Sequence, residues 1–254
     1  MSLVKKDTGR LVILAGPSCV GKSPLAKALA KFHPDLSKTL QPLVLYNDRE
    51  KRPGETEGVD YYFRSGKFIK ELKRKKQFIV MEVRGDYQAL DLEELYGLLE
   101  KGNVFFEGNP FIGHVLLSHP ALHQVKKLSV FMSPLSGKEI FDFKKTKPDQ
   151  SLSEFVKETM QGKLLSRTKK LKGKLIEKDF KEIDRRASSA YTELQDAYRY
   201  QYIIPNHDGE DSENWNPEQY PLNDAKRALD AFVALLKGEA AANIEHWDQN
   251  LIPQ

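Results

Sequence analysis

The sequence predicts an α/β protein built around a parallel β-sheet, and three observations support this prediction. Residues 11–15 (LVILA) form a short, wholly apolar run, which is typical of a strand covered on both faces. A glycine-rich loop follows this run, and from Leu25 onward the apolar residues recur at helical spacing. Further apolar runs at 128–132 and 202–204 alternate with helical patterns such as residues 224–236. Strands that alternate with helices favour a parallel sheet.

The composition fits a soluble globular protein. The chain has 254 residues, of which 40% are hydrophobic and 30% charged, and this length can bury one sizeable core with inserted subdomains. A net charge of +4 is too small to indicate a nucleic-acid partner, so we expect none. The single cysteine, Cys19, excludes an internal disulfide framework and favours the reducing cytoplasm.

Two further classes are excluded by the apolar segments. No apolar run approaches the roughly 20 residues of a membrane span, so we expect no membrane partner. The apolar run at 11–15 is too short for a signal peptide and leads into the glycine-rich loop. No feature of the composition predicts an oligomeric state.

Residues 16–23 (GPSCVGKS) match the phosphate-binding motif G-x-x-x-x-G-K-[ST] at every required position. Glycines allow backbone N–H groups to point into the loop, and the N-terminus of the following helix adds a partial positive charge. Lys22 is expected to reach the β- and γ-phosphates of a nucleotide, and the Ser23 hydroxyl can ligate Mg²⁺. The motif alone leaves ATPases, GTPases and kinases open. The residues predicted to bind the nucleotide are Gly16, Ser18, Val20, Gly21, Lys22 and Ser23.

A second segment, residues 48–63 (DREKRPGETEGVDYYF), has the composition of another phosphate-binding loop. Arg49 and Arg52 present planar, permanently charged forks that match phosphate oxygens in two-pronged geometry. Two glycines allow tight turns, and Tyr61 and its neighbour supply hydroxyls and flat faces. We interpret this segment as a site for a second phosphorylated substrate that faces the nucleotide.

Together, the two segments resemble the guanylate kinases, whose GMP-binding segment runs approximately T-T-R-x-P-R-x-G-E-x-x-G-x-D-Y-x-F. Weaker similarities follow in the same order at residues 78–87 (FIVMEVRGDY), 170–194 and 202–208 (YIIPNHD). The resemblance implies a P-loop NTPase fold, with a three-layer parallel sheet core, an inserted monophosphate-binding subdomain and a helical lid. It assigns residues 1–44, 103–140 and 180–237 to the core, 45–102 to the subdomain, 141–179 to a lid with an extra helical insertion, and 238–254 to a C-terminal tail.

The implied activity is that of an ATP-dependent nucleoside monophosphate kinase that uses ATP and Mg²⁺, with GMP favoured as the acceptor and ADP and GDP as products. By this resemblance Arg49, Arg52 and Tyr61 would hold the acceptor phosphate, and Glu55 also follows the family segment.

The resemblance also implies a set of catalytic cations, because phosphoryl transfer depends on neutralising the charge on the transferring group. Arg186 would match the arginine beyond the lid that stabilises this group. Lysines, among them Lys170 and Lys174, replace the family's lid arginines and lose the two-pronged fork. Arg167 lies close by and could substitute for one of them. The residues expected to act in catalysis are therefore Lys22, Arg186, Arg167 and Lys174.

The base-reading residues of the family are not retained. The family glutamate that reads guanine falls on Val80 or on a deletion, and the later Tyr-Gly-Ser/Thr becomes residues 88–90 (QAL). Glu82 or Gln88 could supply a replacement contact. Because a base pocket selects through the polar groups it leaves unpaired with the wrong base, the acceptor is open between GMP and another nucleotide or phosphorylated small molecule.

The segment 103–113 (NVFFEGNPFIG) should form the strand beside the first one. The family carries Asp-x-Asp at its end, which serves magnesium and the base pocket, and here the candidates are Glu107 and Asn109. Glu107 is the only acid of the two, and we expect it to serve both the metal and the substrate. The alternative is an acid that simply faces solvent.

Several other patterns have alternative interpretations. Residues 151–160 carry a helix-start signature, and residues 163–174 carry six cations that fit a lid, a solvated basic face or a nucleic-acid patch. His119 and His123 have a metal-compatible spacing on a helix, but no glutamate or third ligand accompanies them, so we expect structural histidines.

A second class of function is a non-catalytic binding module. Guanylate-kinase-like domains of scaffold proteins use the acceptor pocket for phosphopeptides, and their nucleotide loops are degraded. The intact residues 21–23 (GKS) and Arg186 favour the enzyme.

Overall fold

The structure is a computed structural model that describes residues 9–52 and 54–253. Within these residues the strands are β1 (Leu11–Ala15), β2 (Leu40–Pro42), β3 (Leu45–Asn47), β4 (Tyr61–Phe63), β5 (Phe78–Val83), β6 (Asp86–Asp91), β7 (Asn103–Gly108), β8 (Lys127–Ser133) and β9 (Tyr202–Pro205). The helices are α1 (Lys22–Phe32), α2 (Pro34–Ser37), α3 (Gly66–Leu72), α4 (Leu92–Lys101), α5 (Pro110–Ser118), α6 (Gly137–Thr146), α7 (Leu152–Lys172), α8 (Glu177–Gln195) and α9 (Asn223–Lys237).

The strands form two sheets. The first has the order β2-β7-β1-β8-β9, and its β2–β7 and β8–β9 pairs are parallel. Every residue of β1 is inaccessible to solvent, as its uninterrupted apolar run predicts. The second sheet has the order β4-β3-β6-β5, in which β6 runs antiparallel to both of its neighbours. The predicted α/β class with a parallel sheet is confirmed.

Residue contacts divide the chain into two compact units. Of the described residues, the first contains 9–12, 39–106 and 115–127, and the second contains 13–38, 107–114 and 128–253. The subdomain boundaries expected from the sequence stay predictions. Residues 1–8 of the predicted core, Pro53 and Gln254 lie outside the described residues.

Helix α7 extends the helix predicted at residues 151–160 through most of the basic run at 163–174. It begins where the sequence predicts, since the Ser151 side chain accepts a hydrogen bond from the backbone N–H of Glu154. It ends at Gly173, which has a positive φ of 72°. The helix continues past residue 160 because its apolar residues keep a four-residue spacing and pack toward α8. The buried residues of α7 are Leu152, Val156, Met160 and Leu164.

The C-terminal part of the chain covers an edge of the first sheet. Helix α9 buries one broad face and packs against α1 and β9. Beyond it, Glu245 forms an isolated antiparallel bridge with Ile203 of β9, the last strand of the sheet. An extra segment along an exposed strand removes a template for unwanted pairing. Within the described ranges, no helix combines the length and apolar character that a membrane crossing requires.

The packing of α5 in the second unit depends on a glycine. A Cβ atom at Gly113 would lie 2.1 Å from the Tyr200 hydroxyl oxygen and 3.2 Å from the Cβ of Ala15. We therefore expect Gly113→Ala to lower the free energy of unfolding by about 1–3 kcal/mol, measured by denaturant titration. Adding Tyr200→Phe, which removes the clashing hydroxyl, should restore part of this loss.

Gly97 provides the matched control, because it lies inside α4 and a Cβ there would meet no atom within 4 Å. Gly97→Ala should be neutral or stabilising by up to about 1 kcal/mol. Equal destabilisation by both substitutions would contradict the packing argument.

Candidate active site

The glycines of the nucleotide loop lie where no other residue fits. Gly16 has a φ of 153°, and a Cβ there would lie 2.4 Å from the carbonyl oxygen of Met132. Gly21 has a φ of 98°, and its Cβ would lie 2.6 Å from Nδ2 of Asn206. Both distances are shorter than real Cβ contacts. Steric hindrance in this fold therefore requires glycine at the two motif positions.

Lys22 begins α1, and its ammonium is enclosed by its own loop. Nζ donates to the carbonyl oxygens of Gly16 at 2.8 Å and of Pro17 at 2.7 Å, and the residue is 7% exposed. Buried charges require such bonds because desolvation is costly. The geometry holds a positive charge inside the loop, as the motif predicts.

Ser23 and Glu107 form an oxygen pair beside the loop. The Ser23 hydroxyl donates to Oε1 of Glu107 at 2.7 Å. Burial raises the pKa of Glu107, while the Ser23 bond and the Lys22 charge act in the opposite direction. Hydroxyl and carboxylate oxygens are the donors that Mg²⁺ prefers. Asn109, the second candidate, instead accepts from the backbone N–H of Ile112 at 3.0 Å and so caps α5.

Ser23 and Glu107 would provide two ligands, which suits a metal ion that is also bound by phosphate. In the part of the chain that the structure describes, no group of three or more His, Cys, Asp or Glu side chains could hold a metal ion. A magnesium ion at Ser23 and Glu107 would therefore complete its shell with phosphate oxygens and water, as this ion commonly does.

Arg167 and Lys170 of helix α7 pair with an acidic segment, residues 207–213, whereas Lys172 pairs with Asp179 of α8. Nε of Arg167 lies 2.8 Å from Oε2 of Glu210, and Nζ of Lys170 lies 2.7 Å from Oε1 of Glu213. Two cations of the basic run are therefore paired with this segment, and the interpretation of the run as a lid stays a prediction. The sequence pattern missed these pairs because the partners are about 43 residues apart.

The two remaining predicted cations lie farther along the chain. Lys174 is exposed, in the turn after α7. Arg186 lies on α8, where its Nε donates to Oε1 of Glu182 at 2.7 Å and its side chain is 11% exposed. Burial alone would raise the pKa of Glu182, but the charge and hydrogen bond of Arg186 outweigh it and lower this pKa.

In the first unit, Arg49 is held as a rigid fork. Its guanidinium donates to both carboxylate oxygens of Glu55, at 2.7 Å for the Nη1 bond, and to the carbonyl oxygen of Glu50 at 2.9 Å. The guanidinium carbon lies 5.0 Å from the ring centroid of Tyr61 and 5.6 Å from that of Phe63. Although burial opposes it, the Arg49 bond lowers the pKa of Glu55, so this pair is intact at neutral pH.

Glu55 also organises the loop around Arg52. Its Oε2 accepts the backbone N–H of Arg52 at 2.8 Å, and the Arg52 residue is exposed. A single carboxylate thus fixes one arginine side chain and the backbone of the next arginine.

Sheet register places the two candidate base contacts on opposite faces. Asn47 pairs with Phe63 and with Gln88, so these three side chains share a face, and it is the face that Arg49 covers. Glu82 is offset by one residue, because it pairs with Tyr87, and it is exposed on the other face. Gln88 is 6% exposed, and a contact of the acceptor with either Glu82 or Gln88 stays a prediction.

The two histidines have structural roles. His119 precedes a 3₁₀ turn and accepts the backbone N–H of Ala121 at Nδ1, 3.2 Å away. His123 bonds through Nε2 to the carbonyl oxygen of Ser118 at 3.1 Å. They do not share a face of one α-helix, as a metal pair would require.

Cys19 lies inside the nucleotide loop, buried and in a left-handed conformation with a φ of 69°. Its Sγ lies 3.7 Å from the carbonyl oxygen of Lys163. Burial, with a further contribution from the charge of Glu210, raises its pKa to about 12. The thiol is thus a packing element of the loop.

This environment predicts an unreactive thiol. At pH 8, about one Cys19 in ten thousand would be ionised, so native protein should not react with a disulfide reagent such as DTNB over an hour. In guanidinium chloride the same reagent should titrate one thiol per chain, since the sequence has one cysteine. Rapid labelling of native protein would contradict the packing described.

The chain is similar in sequence to known guanylate kinases. The guanylate kinase family model matches residues 8–106. A guanylate kinase of Trichormus variabilis is 30% identical over 137 residues, or 53% of this chain and 64% of that protein. One of Rickettsia conorii is 33% identical over 109 residues, covering 46% of its length, so the chain spans less than two thirds of either relative. One of Prochlorococcus marinus is 25% identical over 209 residues, 80% of this chain and 92% of its own.

The fold has a solved counterpart as well. The crystal structure of guanylate kinase from Anaplasma phagocytophilum superposes with a TM-score of 0.53 at 17% identity, covering 92% of this chain and 87% of that one. This likeness shows a common fold. The sequence similarity to guanylate kinases is carried by residues 8–106, which the family model matches.

Proposed function

We propose that this chain is an ATP-dependent nucleoside monophosphate kinase that transfers the γ-phosphoryl group of MgATP to GMP. The observation that carries the proposal is the enclosed Lys22 ammonium beside the Ser23–Glu107 oxygen pair, because this arrangement provides a cation and a metal site at one phosphate-binding loop. The names of the relatives, all guanylate kinases, support the same reaction.

On the donor side, the backbone N–H groups of residues 16–23 would bind the phosphates and Lys22 would neutralise them. Ser23 and Glu107 would hold Mg²⁺, which supplies positive charge to the β- and γ-phosphate oxygens when bound. Ser18 and Val20 belong to this loop in the proposal.

On the acceptor side, Arg49 would bind the monophosphate without leaving Glu55. A guanidinium has five N–H donors, and Glu55 and Glu50 take three of them, so two remain for phosphate. Arg52 and the Tyr61 hydroxyl would complete this phosphate site. Gln88 is the side chain proposed to reach the base, and Glu107 is proposed to serve the acceptor site in addition to the metal.

The transferring group needs further cations, and we assign this role to Arg186, Arg167 and Lys174. Arg186 and Arg167 are each bonded to a carboxylate, Glu182 and Glu210 respectively. Each would exchange that carboxylate for phosphoryl oxygens as the lid closes. Until then, the carboxylate would hold the cation in position. A cytoplasmic location stays a prediction.

The acceptor assignment is tested by ADP release with GMP, AMP, CMP and UMP in a coupled assay. GMP should give the highest kcat/KM of the four, and Lys22→Met should lower the rate about a hundredfold or more because a donor to the transition-state charge is lost. Indifference to all four acceptors would refute the GMP assignment. Phosphopeptide binding without turnover would instead support a binding module.

The phosphate site is tested by Arg49→Lys, which keeps the charge and loses the fork. The KM for the acceptor should rise about tenfold or more, while the KM for ATP stays within about twofold.

The matched control for this exchange is Arg64→Lys, since Arg64 pairs with exposed Glu57 in the same unit. It should leave both constants near those of the wild type. A rise in the KM for ATP with Arg49→Lys would show that the two phosphate sites are assigned wrongly.

A further inference from the structure

Asn206 is a buried polar residue that lies directly behind the nucleotide loop. It follows β9, it is 0% exposed, and its backbone N–H donates to the carbonyl oxygen of Ser133 at 2.8 Å. This bond fixes Asn206 at the ends of two neighbouring parallel strands, β8 and β9. The sequence places Asn206 within the segment 202–208 (YIIPNHD) without assigning it a role.

The side chain of Asn206 acts only as a donor. Nδ2 donates to the carbonyl oxygen of Val20 at 2.8 Å and to that of Asp208 at 2.7 Å, which uses both of its protons. Among the described residues, the buried Oδ1 has no hydrogen-bond partner. The opposite amide orientation would set an oxygen against two carbonyl oxygens, so the chemistry of the neighbours requires the one observed.

The bond to Val20 has a consequence for the next residue. A peptide unit is planar and trans, so the N–H of Gly21 points opposite to the C=O of Val20. Since the Val20 carbonyl is directed at Asn206, the Gly21 N–H is directed away from it, as a phosphate-binding loop requires. The missing side chain of Gly21 is what lets Nδ2 approach this closely.

We propose that Asn206 is a positioning residue that presets the Val20–Gly21 peptide for nucleotide binding. In this proposal it acts through its bond to Val20: it fixes an N–H donor before the phosphate arrives, and so removes an ordering cost from binding. The inference rests on the proposed nucleotide site in this loop.

The test is Asn206→Asp, an isosteric change that replaces the donor with a second acceptor. The dissociation constant of MgADP, measured by isothermal titration calorimetry, should rise about tenfold or more because two hydrogen bonds become two repulsions. In the kinase assay the KM for ATP should rise by a similar factor, and the KM for the acceptor should change by less than about twofold.

Asn216→Asp is the matched control. Asn216 lies in the same loop region, but its Oδ1 accepts the backbone N–H of Glu218 at 2.9 Å, a role that a carboxylate keeps. MgADP affinity should therefore remain that of the wild type. Asn206→Ser, which retains one donor, should bind MgADP more tightly than Asn206→Asp and guards against a folding failure of the latter.

The outcomes separate this inference from the proposed function. Unchanged MgADP affinity in Asn206→Asp, or an equal rise in both KM values with a lowered melting temperature, would overturn the positioning role. If wild-type protein binds MgADP but transfers no phosphoryl group to any monophosphate, the proposed kinase activity fails while the role of Asn206 stands.

Discussion

The conformation of the loop at residues 16–23 depends on hydrogen bonds that fix its carbonyl groups. The carbonyl oxygens of Gly16 and Pro17 accept from Lys22, and that of Val20 accepts from Asn206. Because each peptide is planar, a fixed carbonyl fixes the direction of the N–H that follows it. Buried polar contacts therefore order the N–H groups that the proposal assigns to phosphate binding. The steric limits at Gly16 and Gly21 follow from the same close packing.

Local chemistry was enough to predict this loop, but side-chain partners elsewhere were not predictable. The apolar run of β1, the motif and the start of α7 at Ser151 are properties of adjacent residues. The pairs of α7 with residues 207–213 join segments about 43 residues apart, and no spacing rule links them. Glu82 shows a different limit, since a one-residue offset in a strand moves a side chain to the other face.

The ion pairs of α7 would suit the proposed lid, which would have to release its cations to a phosphate group. Lys170 and Glu213 are both largely exposed, and exposed pairs of this kind contribute only about 0–1 kcal/mol. Arg167 and Glu210 are more enclosed, with 34% and 14% of their side chains exposed. A phosphate group with two or more negative charges attracts a guanidinium more strongly than a carboxylate does, so the exchange costs little. In this proposal, Glu210 and Glu213 would hold Arg167 and Lys170 in position and still allow their release.

The proposed acceptor site would combine phosphate binding by Arg49 with a base contact that differs from that of the guanylate kinases. Glu55 holds Arg49 through two bonds, which fixes the fork whatever base follows the phosphate. Guanine presents two adjacent donors, N1–H and N2–H, and a carboxylate meets both, whereas the carboxamide of Gln88 offers one acceptor and one donor. Such a group can meet the N1–H and O6 of guanine, and after a flip it can meet the adenine edge. In the proposed site, phosphate recognition and base selection would therefore be separable, and base selection would rest on fewer polar groups.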